Sequence, residues 1–288
     1  MDNLLLQSLN IISKLPVLVA YIYQWKKNNF KKENFKNLKP KKNYSIAENL
    51  LYMINPKHIF SRKEAELLDL SLILHAEHGG GNNSSFTNYV ISSTQTDIYS
   101  SISASIGALK GPKHGGANKK VTEMIEYIIN KLGKSRKKND IKNILYSIIK
   151  KESFDKSGLI YGIGHAVYTL SDPRTIIFKK KAKELSEEKN CNDKFELLNN
   201  IENISISLLK EIKGEKLSIC ANVDFYSGFV YNMLKIPKEL YTPLFAIART
   251  VGWCAHRLEQ VVTDSKIVRP IYKSIYDNKV YKSISDRK

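Results

Sequence analysis

The segment beginning at Thr242-Pro243 constrains the fold most. From there Leu244, Ala248, Val251, Ala255 and Leu258 recur at helical spacing, and a proline at such a start forfeits no hydrogen bond because first-turn N–H groups have no partner inside the helix. Arg249, Gly252 and His256 form an adjacent stripe, so a guanidinium projects from beside the buried face. Other segments repeat the theme. Ser61 followed by Glu64 is a capping-box signature. The apolar run 67–74 behind it predicts a buried helix, ended by Gly79, Gly80 and Gly81, with His75 and His78 in its last turn. Ser171-Asp172-Pro173 reads as another start, with Asp172 as N-cap and Arg174 in the first turn. Residues 4–25 read as two helical pieces separated by Pro16. Residues 99–109, mostly Ser, Ala, Ile and Gly, read as a closely packed helix, and the Lys-rich segments 121–132 and 141–151 as helices of a second, smaller domain. Alternating strands are scarce, so the fold class is all-α.

A chain of 288 residues, 42% hydrophobic, can bury a substantial core. Its formal charge of +18 raises nucleic acid, anionic membrane or an acidic ligand as partner. The lysines are scattered along the whole chain, which argues against a dedicated nucleic-acid face. The stretch 26–42, where lysines alternate with Asn, Phe30 and Phe35, could form a stacking arm. Pro40 and the asparagines suit a solvated loop better. Cys191, Cys220 and Cys254 form no C-x-x-C pair, which argues for a reducing compartment and against a disulfide framework. No basic region precedes the first apolar residues, and Lys14 and Pro16 break that stretch, so neither a signal peptide nor a bilayer span is expected. A soluble, cytoplasmic protein is the expectation.

His75 and His78 precede the triple glycine, and His114 and His165 lie in Gly-rich stretches; a histidine flanked by glycine has little side-chain bulk to guard it from a ligand. His-Ala-Glu-His offers three metal ligands, but its spacing is not H-E-x-x-H and no cysteine lies near, so no metal site is expected. The glycines at 79–81 and 111–116 match neither a phosphate-binding loop nor a dinucleotide fingerprint.

Taken in order, "LHAEHGGGNN" at 74–83, "GALKGPKHGGAN" at 107–118, "GIGHAVYTLSDPR" at 162–174, "NVDFYSG" at 222–228, "TPLFAIARTVGWCAH" at 242–256 and "RP" at 269–270 resemble citrate synthase, from about residue 9 to residue 270. The resemblance implies condensation of acetyl-CoA with oxaloacetate, with no metal or redox cofactor. Asp224 would take a proton from the acetyl methyl group, His114 would hydrogen-bond the thioester oxygen, and His165 would act as acid toward the ketone. His78 would help bind oxaloacetate, and His75 would support the site. Removing a weakly acidic carbon-bound proton needs a placed base together with a donor where charge develops on oxygen. Arg174, Arg249 and Arg269 match the family's carboxylate-binding arginines, the last supplied across a homodimer; guanidinium forks suit carboxylates.

The family pattern further implies a small domain at 115–235 inserted in a large domain of 1–114 and 236–288. Loops 107–111 and 162–165 would line the CoA site. Thr169 stands where many relatives carry a basic residue that meets CoA phosphate, so CoA affinity would depend on other lysines, with Lys179 and Lys180 as candidates. Relatives also carry roughly a hundred further residues before the segment matching 9–23, part of a domain of ordinary size. A 2-methylcitrate synthase taking propionyl-CoA, or an inactive paralogue acting by binding, are the alternatives.

Overall fold

A computed structural model describes residues 2–31, 38–165, 167–263, 266–277 and 279–287. Among them are eleven α-helices and no β-strand, only an isolated antiparallel bridge between Ile163 and Ala221. The helices are α1 (Asp2–Lys31), α2 (Ile46–Ile54), α3 (Arg62–His75), α4 (Asn83–Ser92), α5 (Ile98–Leu109), α6 (Ala117–Leu132), α7 (Lys138–Ile149), α8 (Pro173–Glu188), α9 (Asn192–Lys213), α10 (Asp224–Met233) and α11 (Tyr241–Val262).

Several starts follow from single residues. Ser45 and Ser61 each accept from the N–H three residues on, while Glu48 and Glu64 reach back to the cap N–H, closing capping boxes on α2 and α3. Asp172 caps α8 ahead of Pro173, as its sequence indicates. Helix α11 is central. It packs on α1, α3, α4, α5 and α6, while α6, α7, α8, α9 and α10 pack among themselves. A hydrophobic core including Leu50, Leu68, Met124, Phe178, Ile201, Tyr226 and Leu244 runs through both groups.

Four expectations need correction. Residues 4–25 are not two pieces, because α1 runs unbroken through Pro16. The proline forfeits one N–H bond, but contacts of α1 with α2, α5 and α11 hold the backbone helical on both sides. Continuous, α1 is long and apolar enough to cross a membrane by length and composition alone, contrary to the expectation of no such run. Its inner face packs on the protein instead: Ala20 and Tyr23 are buried, and the Gln24 amide donates to the Met53 and Ile54 carbonyls that end α2, at 2.8 and 2.9 Å. Its outer face leaves Leu6, Leu9, Ile22 and Trp25 exposed. The basic stretch is not a loop from Lys26, since α1 extends to Lys31; residues 32–37, Phe35 among them, lie outside the described residues. Gly107 sits inside α5 rather than in a loop.

Candidate active site

Helix α3 ends at His75, so His78 lies beyond its last turn rather than in it. The Glu77 carboxylate explains the early stop. Its Oε1 accepts the N–H groups of His78 and Gly79 at 2.7 and 2.5 Å, replacing the helical acceptors they would otherwise need. Gly252 of α11 makes room for this turn, since a Cβ there would collide with the Glu77 carboxylate and the Ala76 carbonyl. Buried His75 places Nδ1 2.8 Å from the Ser71 carbonyl, which can only accept, so the proton sits on Nδ1. Burial pushes its pKa down to about 4 and keeps the ring neutral.

Arg249 on α11 is 1% exposed. Its Nε donates to the His75 carbonyl at 2.8 Å and its Nη1 to Asn82 Oδ1 at 3.0 Å, with the guanidinium 4.9 Å from the Phe245 ring centroid. Burial lowers its pKa to about 10, so it stays charged, and among the described residues no carboxylate forms an ion pair with it. A buried cation without its own anion is a receptor for one. Asn82 Oδ1 also lies 2.9 Å from Ser84 Oγ and 3.1 Å from His114 Nε2. His114 Nε2 is 3.1 Å from Ser84 Oγ as well. When the Ser84 hydroxyl turns to donate to His114, the imidazole proton sits on Nδ1, away from this triad. Burial first, then Arg249, lowers the His114 pKa.

A second half of the site comes from residues 162–174 and 220–224. Gly162 adopts φ +82°, and a side chain there would strike Phe225 and Val121. The Gly164 N–H donates to the Cys220 carbonyl at 2.7 Å, the Asn222 N–H to the Gly162 carbonyl at 2.9 Å, and the Asn222 amide to the Gly164 carbonyl at 2.9 Å. Asn222 Oδ1 accepts the Asp224 N–H at 3.1 Å. These bonds tie the His165 loop to the first turn of α10. His165 Nδ1 accepts the N–H groups of Val167 and Tyr168 at 2.9 and 3.0 Å, which forces its proton onto Nε2. Burial and Arg174 lower its pKa. Arg174 lies 3.4 Å from that Nε2 and is itself held by Asp172, 1% exposed, whose carboxylate accepts its Nε at 3.0 Å and Nη2 at 2.8 Å. Two donors side by side call for a shared acceptor.

The halves meet where the His78 ring lies 4.9 Å from His165 and 5.9 Å from Tyr168. Loss of water, then Arg174, holds His78 at about 4. Half-buried Asp224 opens α10, and loss of water pushes its carboxyl up to about 6 while Arg174 and Arg249 pull it back.

His75, His78, His114, His165, Arg174, Asp224 and Arg249 thus form one cluster. Arg269 does not join it. It is exposed on the segment after α11, next to Val268, whose N–H donates to Ser93 Oγ at 3.0 Å. Lys179 is bound by Glu202 at 2.6 Å, whereas Lys180 is exposed. Sequence reasoning missed Asn82, Ser84, Asn222 and the arginine-holding role of Asp172. Only Asp172 carried a local signal, as an N-cap. Among the described residues no group of three His, Cys, Asp or Glu side chains is arranged to hold a metal. Chemically, the cluster offers buried guanidinium, imidazoles of which those of His75 and His165 have fixed protons, and a carboxyl that ionises at about 6. These suit a polyanionic substrate and proton removal.

The family described as citrate synthase, C-terminal domain, matches residues 2–271. A citrate synthase of Synechocystis sp. is 36% identical over 93% of this chain and 61% of its own length. A 2-methylcitrate synthase of Corynebacterium glutamicum is 33% identical over 91% of this chain and 62% of its own. The chain thus spans about six-tenths of the length of these curated relatives. The crystal structure of citrate synthase from Thermotoga maritima superposes with a TM-score of 0.78 at 31% identity, over 100% of this chain and 72% of that one. The structure of the Thermoplasma acidophilum citrate synthase in a ternary complex with carboxymethyl coenzyme A and oxaloacetate gives 0.75 at 28% identity, over 97% of this chain and 68% of that one. With a matching family spanning nearly the whole sequence and the same helical fold, the chain belongs to the citrate synthase family.

Proposed function

We propose that this chain condenses acetyl-CoA with oxaloacetate and water to give citrate and CoA. The observation that carries the reading is Arg249, a buried cation without an ion-pair partner among the described residues, sharing a cluster with Arg174, the Nε2–H of His165 and a carboxyl poised near 6 at Asp224. Arg249 and Arg174 bind the oxaloacetate carboxylates, and His78 contacts the same substrate. Asp224 removes a methyl proton from the thioester. His114, in the tautomer in which Ser84 donates to Nε2, offers Nδ1–H to the enol oxygen. The enol carbon attacks the ketone carbon, and His165 gives its Nε2 proton to the oxygen that was the ketone. Water then cleaves the citryl thioester, releasing CoA as its thiol.

The working unit in this reading is a cytoplasmic homodimer in which Arg269 of the partner subunit completes the carboxylate site. Residues 115–235 form the domain that closes over the substrates and excludes water. The Thermoplasma neighbour's name, with carboxymethyl coenzyme A and oxaloacetate bound, supports both substrate classes. The test follows thiol release from acetyl-CoA on adding oxaloacetate. Release that Asp224→Asn abolishes is expected; no release from folded protein would overturn the reading in favour of a binding role. The Corynebacterium relative favours one second reading, 2-methylcitrate synthesis, and a higher kcat/KM with propionyl-CoA would select it.

A further inference from the structure

Helices α8 and α10 deliver Arg174 and Asp224 from their first turns, so the distance between guanidinium and base depends on how these helices are held together. One side chain on a third helix touches both. Glu202 of α9 is only 9% exposed, and its Oε2 accepts from Lys179 Nζ of α8 at 2.6 Å and from the Tyr226 hydroxyl of α10. The Lys179 ammonium also lies 5.3 Å from the Tyr226 ring centroid, closing a three-way contact. Tyr226 is two residues beyond Asp224, and residues two apart on a helix do not share a face. Turning Tyr226 toward α9 therefore turns Asp224 away from it. Lys179 lies five residues, under a turn and a half, beyond Arg174.

With Glu202 buried and Lys179 half-buried, the ion pair contributes little net stability, because desolvation of the carboxylate offsets the attraction. What the carboxylate supplies that a leucine could not is direction, since it fixes one hydroxyl and one ammonium at a single oxygen.

We infer that Glu202, through Tyr226 and Lys179, is a positioning residue that sets the base Asp224 against Arg174. The inference rests on the reading of Asp224 as the base. Glu202 itself touches no substrate.

The test compares Glu202→Gln, Tyr226→Phe and Lys179→Met with the parent chain. It measures circular dichroism, kcat and KM for both substrates, and titration of the Asp224 carboxyl by 13C NMR, assigned with Asp224→Asn. In folded variants kcat is expected to fall about tenfold or more for Glu202→Gln and severalfold for Tyr226→Phe, in line with the sensitivity of catalysis to sub-ångström placement. The KM for oxaloacetate should stay within about twofold, because the residues contacting it keep their own partners. Asp224 should titrate below the parent's value of about 6 as water reaches a loosened first turn. A merely structural role predicts a lower Tm with kcat and the titration unchanged, and that result overturns the inference. Should Glu202→Gln fail to fold, Tyr226→Phe, which keeps the ring and loses only the hydroxyl, decides. If the parent itself does not turn over, the condensation reading fails alone, and the Asp224 titration still supports or overturns the positioning.

Discussion

Asp224 faces two opposed demands. Taking it out of water raises its pKa to about 6, which brings it close to the pH at which a base must accept and release a proton. The same burial destabilises its charged form. Because its folded-state pKa lies above its unfolded value of about 3.9, the stabilisation from holding the proton is complete below about pH 4 and is lost as the pH rises through about 6. Asp224→Asn should therefore abolish turnover yet unfold later than the parent at pH 8, by about 1–3 kcal/mol, with the gain gone near pH 4. Urea unfolding at both pH values checks this. In the parent, kcat/KM should fall as the pH drops through about 6, with no second loss from His75 or His78 until about 4. Asp224 and the four histidines were legible in the sequence because short motifs carry them. Asn82 and Asn222 were not, since an asparagine looks the same whether it faces solvent or accepts from Arg249 across 167 positions of chain.

At the scale of helices, local chemistry was legible and long-range contact was not. The capping box at Ser61 and the Asp172-Pro173 start depend on neighbours a few residues apart, so the sequence displays them. The continuity of α1 through Pro16 depends on packing against α2, α5 and α11, which no local pattern reports. Nor does the early end of α3, which Glu77 enforces. Gly252 looked like one member of a helical stripe, yet it is the notch in α11 that admits the Glu77 turn. Gly252→Ala should push α11 off that turn and pull Arg249 from the His75 carbonyl. The expected outcome is a loss of about 1–3 kcal/mol in urea unfolding, as for other overpacked sites, together with a raised KM for oxaloacetate.

For the whole molecule, the isolated chain gathers every proposed site residue except Arg269, which stays exposed beyond α11. Supply across a dimer makes a specific prediction. Asp224→Asn and Arg269→Ala proteins, each nearly inactive alone, should regain activity when their subunits exchange. A mixed dimer pairs an intact Asp224 with an intact Arg269 in one of its two sites, so random exchange should restore about a quarter of parental turnover. Thiol release before and after exchange measures it, and no recovery despite confirmed exchange would overturn supply of Arg269 across the dimer. Fold class was legible at this scale because helical periodicity recurs along the chain. The apolar outer face of α1 was not, because the sequence does not reveal which side of an apolar helix its neighbours cover.

The bonds joining Gly162, Gly164, Cys220 and Asn222 mean that His165 and Asp224 share one rigid mount. The opposite wall of the cluster, Arg249 and His114, is anchored elsewhere, on Asn82. His165 and Asp224 can thus keep their spacing while the opposite wall is reshaped, so a substitution at Phe245, which packs on His75, His114 and Arg249, alters that wall without moving the pair.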